Sequence, residues 1–263
     1  MKLTIKSIFL LALTLVVIFG VFQYPPIGQR PAFHQFADGR RMLGISNFLN
    51  VLSNIPFLFI AFYGFILLNR SKNTLATYLI YSTLFLGVLL TAFGSAIYHY
   101  NPNNETLVWD RLPMTIIFMS FTCATIAEFI NTRVALFLLM PLIFMGAGSV
   151  LWWSYTEING HGDLRLYFLV QFYPILLIPL IMWLYYQPSQ KPAIRPLIWV
   201  VLWYLVAKLL ERWDIPIYDR LGVSGHTLKH LAAAASTWYF VEIYRKGRII
   251  KQGGFFKATL STK

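Results

Sequence analysis

Three histidines stand at spacings that suit a metal. In His226-Thr227-Leu228-Lys229-His230 the two imidazoles are four residues apart, so on a helix they share one face, one turn from each other. Ser95-Ala96-Ile97-Tyr98-His99 repeats the spacing in a separate apolar run and points Ser95 the same way as His99. Three imidazole nitrogens with a fourth position left for water is the usual form of a catalytic zinc site. Zinc held there would bring a water's pKa to about 7 and polarise a substrate carbonyl. The glutamate of a His-Glu-x-x-His motif is missing, so a base must come from elsewhere. Asp110, in Val108-Trp109-Asp110-Arg111-Leu112-Pro113, is the candidate, able to orient the water and accept its proton. Its competing role is a helix N-cap neutralised by Arg111. Ser95 as a nucleophile would want a free base, and His99 is committed to metal, so donation to an oxyanion or to the water is preferred. A plain packing hydroxyl is the alternative.

Asn47, Asn50 and Asn54 stand at i, i+3 and i+7 and turn three amides into the interior if the run is helical. They either glue helices or, with Asp38, contribute to a weak second cation site; glue is the preferred role. His34 and His161 fall in loops.

The elements that carry these residues are membrane spans. Hydrophobic residues make up 57% of the 263 and charged residues 12%, against about 25% charged in a soluble domain. Apolar runs predict helices near 5–22, 48–68, 75–98, 112–130, 134–153, 166–186, 197–212 and 224–243. The first follows Lys2 and Lys6 and has signal-peptide features. No A-x-A site follows it, so it is expected to be retained. Trp152, Trp153, Trp199 and Trp203 are expected as interface anchors and core. The single cysteine, Cys123, excludes an intrachain disulfide.

The net charge of +12 is an orientation signal. With the N-terminus inside, the inner segments carry Lys2, Lys6, Arg70, Lys72, Arg133, Lys191, Arg195, Arg245, Lys246, Arg248, Lys251, Lys257 and Lys263. The outer ones carry Arg30, Arg40, Arg41, Arg111, Arg165, Lys208, Arg212 and Arg220, with Lys229 inside the last span. Thirteen against eight places both termini in the cytoplasm and the histidines towards the outer side. A nucleic-acid partner is not expected; affinity for anionic headgroups is.

The order Asn50-x-x-Ser53-Asn54, Ser95-x3-His99, Asp110, His226-x3-His230 resembles the alkaline ceramidase family. More broadly it is similar to the membrane hydrolase superfamily that includes adiponectin-receptor-like proteins. The resemblance covers roughly residues 34–243. Phe36-Ala37-Asp38-Gly39-Arg40 and Trp109-Asp110-Arg111-Leu112-Pro113-Met114-Thr115 look like its bacterial branch. It implies an all-α seven-helix core with zinc on His99, His226 and His230, Ser95 and Asp110 beside it, and hydrolysis of the amide of ceramide or a related N-acyl lipid to fatty acid and amine. Helix 5–22 is then an addition to the seven, in an organisation of 1–30 (helix and linker), 31–245 (catalytic domain) and 246–263 (basic tail). A bacterial cell membrane is the expected location. Eukaryotic members also bind calcium through acids in the N-terminal segment and at the start of the first core helix. Asn47 occupies the helix position here, and the segment before it offers Asp38 and His34 rather than several acids, which argues against calcium dependence. A receptor-like protein with a structural zinc is the alternative. A transporter would require midplane charges and broken paired helices, which the sequence does not show.

Overall fold

The protein is described here from a computed structural model, which covers residues 4–260; Lys2 and Lys263, counted above for orientation, lie outside the described residues. The fold is all-α, in the order α1 (Ile5–Phe22), α2 (Phe48–Leu52), α3 (Ile55–Asn69), α4 (Leu75–Tyr100), α5 (Asn104–Phe129), α6 (Thr132–Ile158), α7 (Arg165–Tyr185), α8 (Lys191–Arg212), α9 (Asp214–Leu221) and α10 (Gly225–Leu260).

Polar caps set where these helices begin. Thr4 and Thr74 accept from the backbone N–H of Ser7 and Thr77. Asn103 forms a reciprocal capping box with Thr106, and Asn131 accepts from Arg133 and Val134. The box at Asn103 starts α5 eight residues before the expected 112, so Asp110 lies two turns inside the helix. It is not the N-cap.

The expected helix 48–68 is broken. α2 ends at Leu52, Ser53 and Asn54 form a turn, and α3 restarts with Pro56 in its first turn. The interruption gives the short α2 contact with both α4 and α10, the two helices that carry the histidines. The eighth helix, expected over 224–243, runs from Gly225 to Leu260.

Among the described residues, six stretches are long and apolar enough to cross a bilayer: Ile5–Phe22, Phe48–Asn69, Leu75–Tyr100, Asn104–Phe129, Thr132–Ile158 and Arg165–Tyr185. This fits an integral multi-pass membrane protein. α8, with Lys208, Glu211 and Arg212 near its end, and α10, with His226, Lys229 and His230 in its first turns, are not among the six.

One large core runs between α3, α4, α5, α6, α7, α8 and α10, with Leu10 of α1 at its edge. A smaller one, around Tyr98, Leu107, Trp153 and Tyr167, fills the end of the bundle on which α4 closes and α5 opens. Trp153 is fully buried, whereas Trp152 and Trp199 remain partly open to the surroundings.

Candidate metal centre

His99 lies in the last turn of α4, with its carbonyl among those a helix end leaves without a partner. Asn47, in a left-handed conformation before α2, donates its amide to that carbonyl at 2.8 Å and fixes the end of α4. The first turn of α10 is capped in turn. Ser224 Oγ accepts from the Thr227 N–H (2.9 Å), and an Asp214 carboxylate oxygen accepts from the His226 N–H (2.8 Å). Gly225 permits this approach, because a Cβ there would run into the Leu210 carbonyl and the Asp214 backbone.

The three imidazoles meet through their Nε2 atoms, 3.1 Å from His99 to His230 and 3.3 Å from His99 to His226, and all three residues are buried. Two nitrogens on a tetrahedral zinc with Zn–N about 2.0–2.1 Å sit roughly 3.3 Å apart. The spacing is therefore that of a coordination edge. The donor chemistry agrees. The Nδ1 of His230 lies 2.7 Å from Ser53 Oγ, which donates onward to the Asn50 carbonyl at 3.0 Å. With its hydrogen used there, Ser53 can only accept from Nδ1–H, and the lone pair of His230 is left on Nε2. Three buried imidazoles whose Nε2 atoms stand at this spacing are a donor set that fits a metal ion. Phe36 packs its ring against His99 and His226 at centroid distances of 4.7 and 4.6 Å and shields that side from water.

Beside the histidines, Ser95 and Asp110 stand together in the lining of one cavity. Their meeting follows from backbone geometry. Pro113 has no N–H to offer the Trp109 carbonyl one turn back, and that carbonyl lies where a Cβ on Gly94 would be. Without a side chain at position 94, α4 and α5 approach closely, and the next residue on each, Ser95 and Asp110, come together.

Arg111 directs its hydrogen bond away from Asp110. It donates to Gln29 Oε1 at 2.6 Å and stacks over Trp153 and Tyr167, 4.2 and 4.7 Å from the ring centroids. The N-cap reading of Asp110 is overturned, because Asn103 is the cap and Asp110 lies inside α5. Ser95, Asp110, Lys229 and His230 line one end of a cavity that continues between α5, α7, α8 and α10 past Met114, Ile117, Phe118 and Ile178 to Phe121 and Phe240.

The remaining candidates have other partners. Asp38 is buried and takes both Nε and NH2 of Arg40, at 2.8 and 2.6 Å. Arg40 holds its carboxyl below the usual carboxylate range. Asn50 accepts from Ser224 and Thr227. His34 bonds Tyr98 and Asn104, and His161 is exposed in the turn after α6.

Three contributions escaped the sequence reading, which held Ser53 only as part of a motif and Lys229 only as a charge inside the last span. Ser53 orients His230. Asp214 holds the start of α10 and also accepts from the Ala37 N–H at 3.0 Å. Lys229 faces the cavity and pairs with Glu211 at 3.0 Å, while Lys208 bonds the other oxygen of the same carboxylate. An acid and two lysines set in apolar helices are costly unless they meet, and that cost was the available signal.

A bundle of apolar spans around a buried, metal-competent histidine cluster defines a polytopic membrane protein with a candidate hydrolytic centre. Residues 42–244 match the Ceramidase family model, and the chain belongs to that family. Membership makes it an amidohydrolase whose substrate class is a lipid such as ceramide. The matched segment contains Ser95, His99, Asp110, His226 and His230 and excludes α1. Neither a curated protein nor a solved structure matches the chain.

Proposed function

We propose that the chain is a zinc-dependent hydrolase that cleaves the amide of ceramide or a related N-acyl lipid within the membrane, releasing fatty acid and amine. The observation that carries this is the meeting of three Nε2 atoms at 3.1 and 3.3 Å beside the Ser95–Asp110 pair, at the mouth of an apolar cavity. The cavity takes the hydrocarbon of the substrate and leaves the amide at its polar end. A zinc held by His99, His226 and His230 would supply Lewis acidity, polarising the amide carbonyl and acidifying water. Asp110 accepts the proton of the attacking water and later delivers it to the leaving nitrogen. Once Asp110 has taken up the proton it no longer needs the Ser95 hydrogen, and Ser95 donates to the developing oxyanion.

The reading extends to the whole chain. We take α8 and α10 as the sixth and seventh spans of a seven-helix core, because their charges are matched internally through Lys208, Glu211 and Lys229. α1 is the additional helix. The basic residues favour cytoplasmic termini and a centre towards the outer face of a bacterial cell membrane.

Metal analysis of the purified chain, followed by incubation with ceramide labelled in its acyl chain, tests the proposal. Wild type should carry one zinc and release label, and His226→Ala should lose both. A variant without zinc that hydrolyses at the full rate would overturn the zinc mechanism. Zinc with no hydrolysis of any N-acyl lipid would favour the receptor-like alternative.

A further inference from the structure

A second cavity, of about 630 Å³, lies away from the histidines, between α1 and a face built by α5, α6 and α7. Its size falls within the range of ligand-binding cavities, about 300–1,000 Å³. From α1 it receives Ser7, Leu10, Leu11, Thr14 and Ile18, one helical face at i, i+3, i+4, i+7 and i+11. Yet α1 buries only Leu10, and its attachments run along α7: Lys6 to the Leu184 carbonyl, Ser7 to Tyr185, Thr14 to Tyr173. The helix leans on α7 and leaves its apolar face standing off α5 and α6.

The lining offers little to water. Its hydroxyls are all used within the protein: Ser7 with Tyr185 at 2.9 Å, Thr14 with Tyr173 and the Leu10 carbonyl, both at 2.7 Å. Thr122 bonds the Phe118 carbonyl and Ser149 the Gly146 carbonyl. Water needs two to four polar partners to occupy a cavity, and this almost wholly apolar lining leaves only scattered acceptor lone pairs. At bilayer depth the medium that fills such a space is hydrocarbon. From Ser7 to Ile18 the groove runs about 16 Å at 1.5 Å per residue. That is close to half of the roughly 30 Å hydrocarbon core, the depth of one leaflet. Lys6 stands one residue beyond its Ser7 end, where a headgroup would lie.

We propose that this groove is a phospholipid site, in which the acyl chains of one leaflet's lipid fill the space between α1 and α5–α6–α7 and hold α1 to the bundle. The family match begins at residue 42, so the site is a property of this chain's added helix. It does not depend on the catalytic reading.

Gly148 lines the groove and a Cβ there would meet no atom within 4 Å; Gly20, on α1 but outside the lining, has the same freedom. Native mass spectrometry of the full chain in mild detergent should show one retained phospholipid for wild type and for Gly20→Trp. For Gly148→Trp retention should fall at least about fivefold. Equal retention in all three, or no lipid in wild type, would overturn the proposal, as would a wild-type dimer without lipid that Gly148→Trp renders monomeric. A second measurement leaves the sequence unchanged. The chain is reconstituted in phosphatidylcholine vesicles with phosphatidylglycerol bearing a diazirine in its acyl chain. Crosslinks to Leu138 and Leu142 in the groove should outlast dilution with unlabelled lipid at least fivefold longer than crosslinks to Phe137 and Phe144, which face outwards. Equal loss from both pairs counts against the site.

Discussion

Ser53 fixes the proton of His230, because its own hydrogen goes to the Asn50 carbonyl and it can only accept from Nδ1. Loss of such an outer partner typically costs about 10–100-fold in metal affinity. Ser53→Ala should therefore raise the zinc dissociation constant by about that factor, with Ser53→Thr restoring most of it, as read by competition with a chelator. The histidines were legible in the sequence because imidazoles in apolar helices require a reason to be there. Ser53 was not, because its position depends on a turn that hydropathy cannot reveal inside an unbroken apolar run. The Lys229–Glu211 contact was hidden for a related reason: it joins residues eighteen positions apart across the α8–α10 junction. Both side chains are about one-fifth exposed, and Lys208 remains on Glu211 when Lys229 is removed. A double-mutant cycle of Lys229→Met and Glu211→Gln, followed by thermal unfolding in detergent, should give a coupling of about 1–2 kcal/mol, inside the usual span for contacting pairs.

Between elements, the decisive contact is the approach of α4 to α5. Gly94→Ala places a methyl against the Trp109 carbonyl, and backbone cannot swing aside as a flexible side chain would. Overpacking of this kind costs about 1–3 kcal/mol. A displacement of about 1 Å at reacting groups costs about 100-fold in rate. The variant should keep its zinc, since the histidines lie on other turns, while amide hydrolysis falls by about that factor. Helix positions were broadly legible from hydropathy, and the ends were less so: the Asn103 box lengthens α5, and the turn at Ser53 splits the second span. The connection from α6 to α7 is a further device of this scale. Asp163, nearly buried, takes two nitrogens of Arg165 at 2.8 Å, and Arg165 lowers its pKa. A carboxyl lowered on folding stabilises above its unfolded pKa of about 3.9 and loses that contribution as pH falls through the folded value. Protection of the 159–164 segment in hydrogen exchange should therefore persist from neutral pH to about 4 and fade below it. Asp163→Asn should show low protection with no such dependence.

At the scale of the molecule, α1 and the strap that follows it have different standing. Both precede the matched segment, but α1 buries one residue whereas the strap is built into the bundle. The Ile27 carbonyl accepts from the Leu164 N–H at 2.9 Å, Gln29 N–H donates to Glu157 at 2.9 Å, and Gln29 Oε1 accepts from Arg111. Farther on, Phe36 covers His99 and His226, and Ala37 ties to the Asp214 that caps α10. Backbone bonds at 27 and 29 thus already tie the segment after α1 to the core. Hydropathy placed α1 correctly but had no means of seeing the strap, whose contacts are polar and remote in sequence. Removal of residues 2–23 should leave zinc stoichiometry unchanged and hydrolysis within about threefold of wild type, since no contact of α1 reaches the metal centre. Gln29→Ala should do more damage than the deletion. It leaves the buried Arg111 guanidinium without its closest acceptor, and an unpaired buried charge-bearing partner costs about 1–3 kcal/mol or more. Thermal unfolding of the two variants side by side, with zinc content measured on each, gives the ranking. A truncated chain less stable than Gln29→Ala would show that α1, not the strap, holds this end of the bundle together.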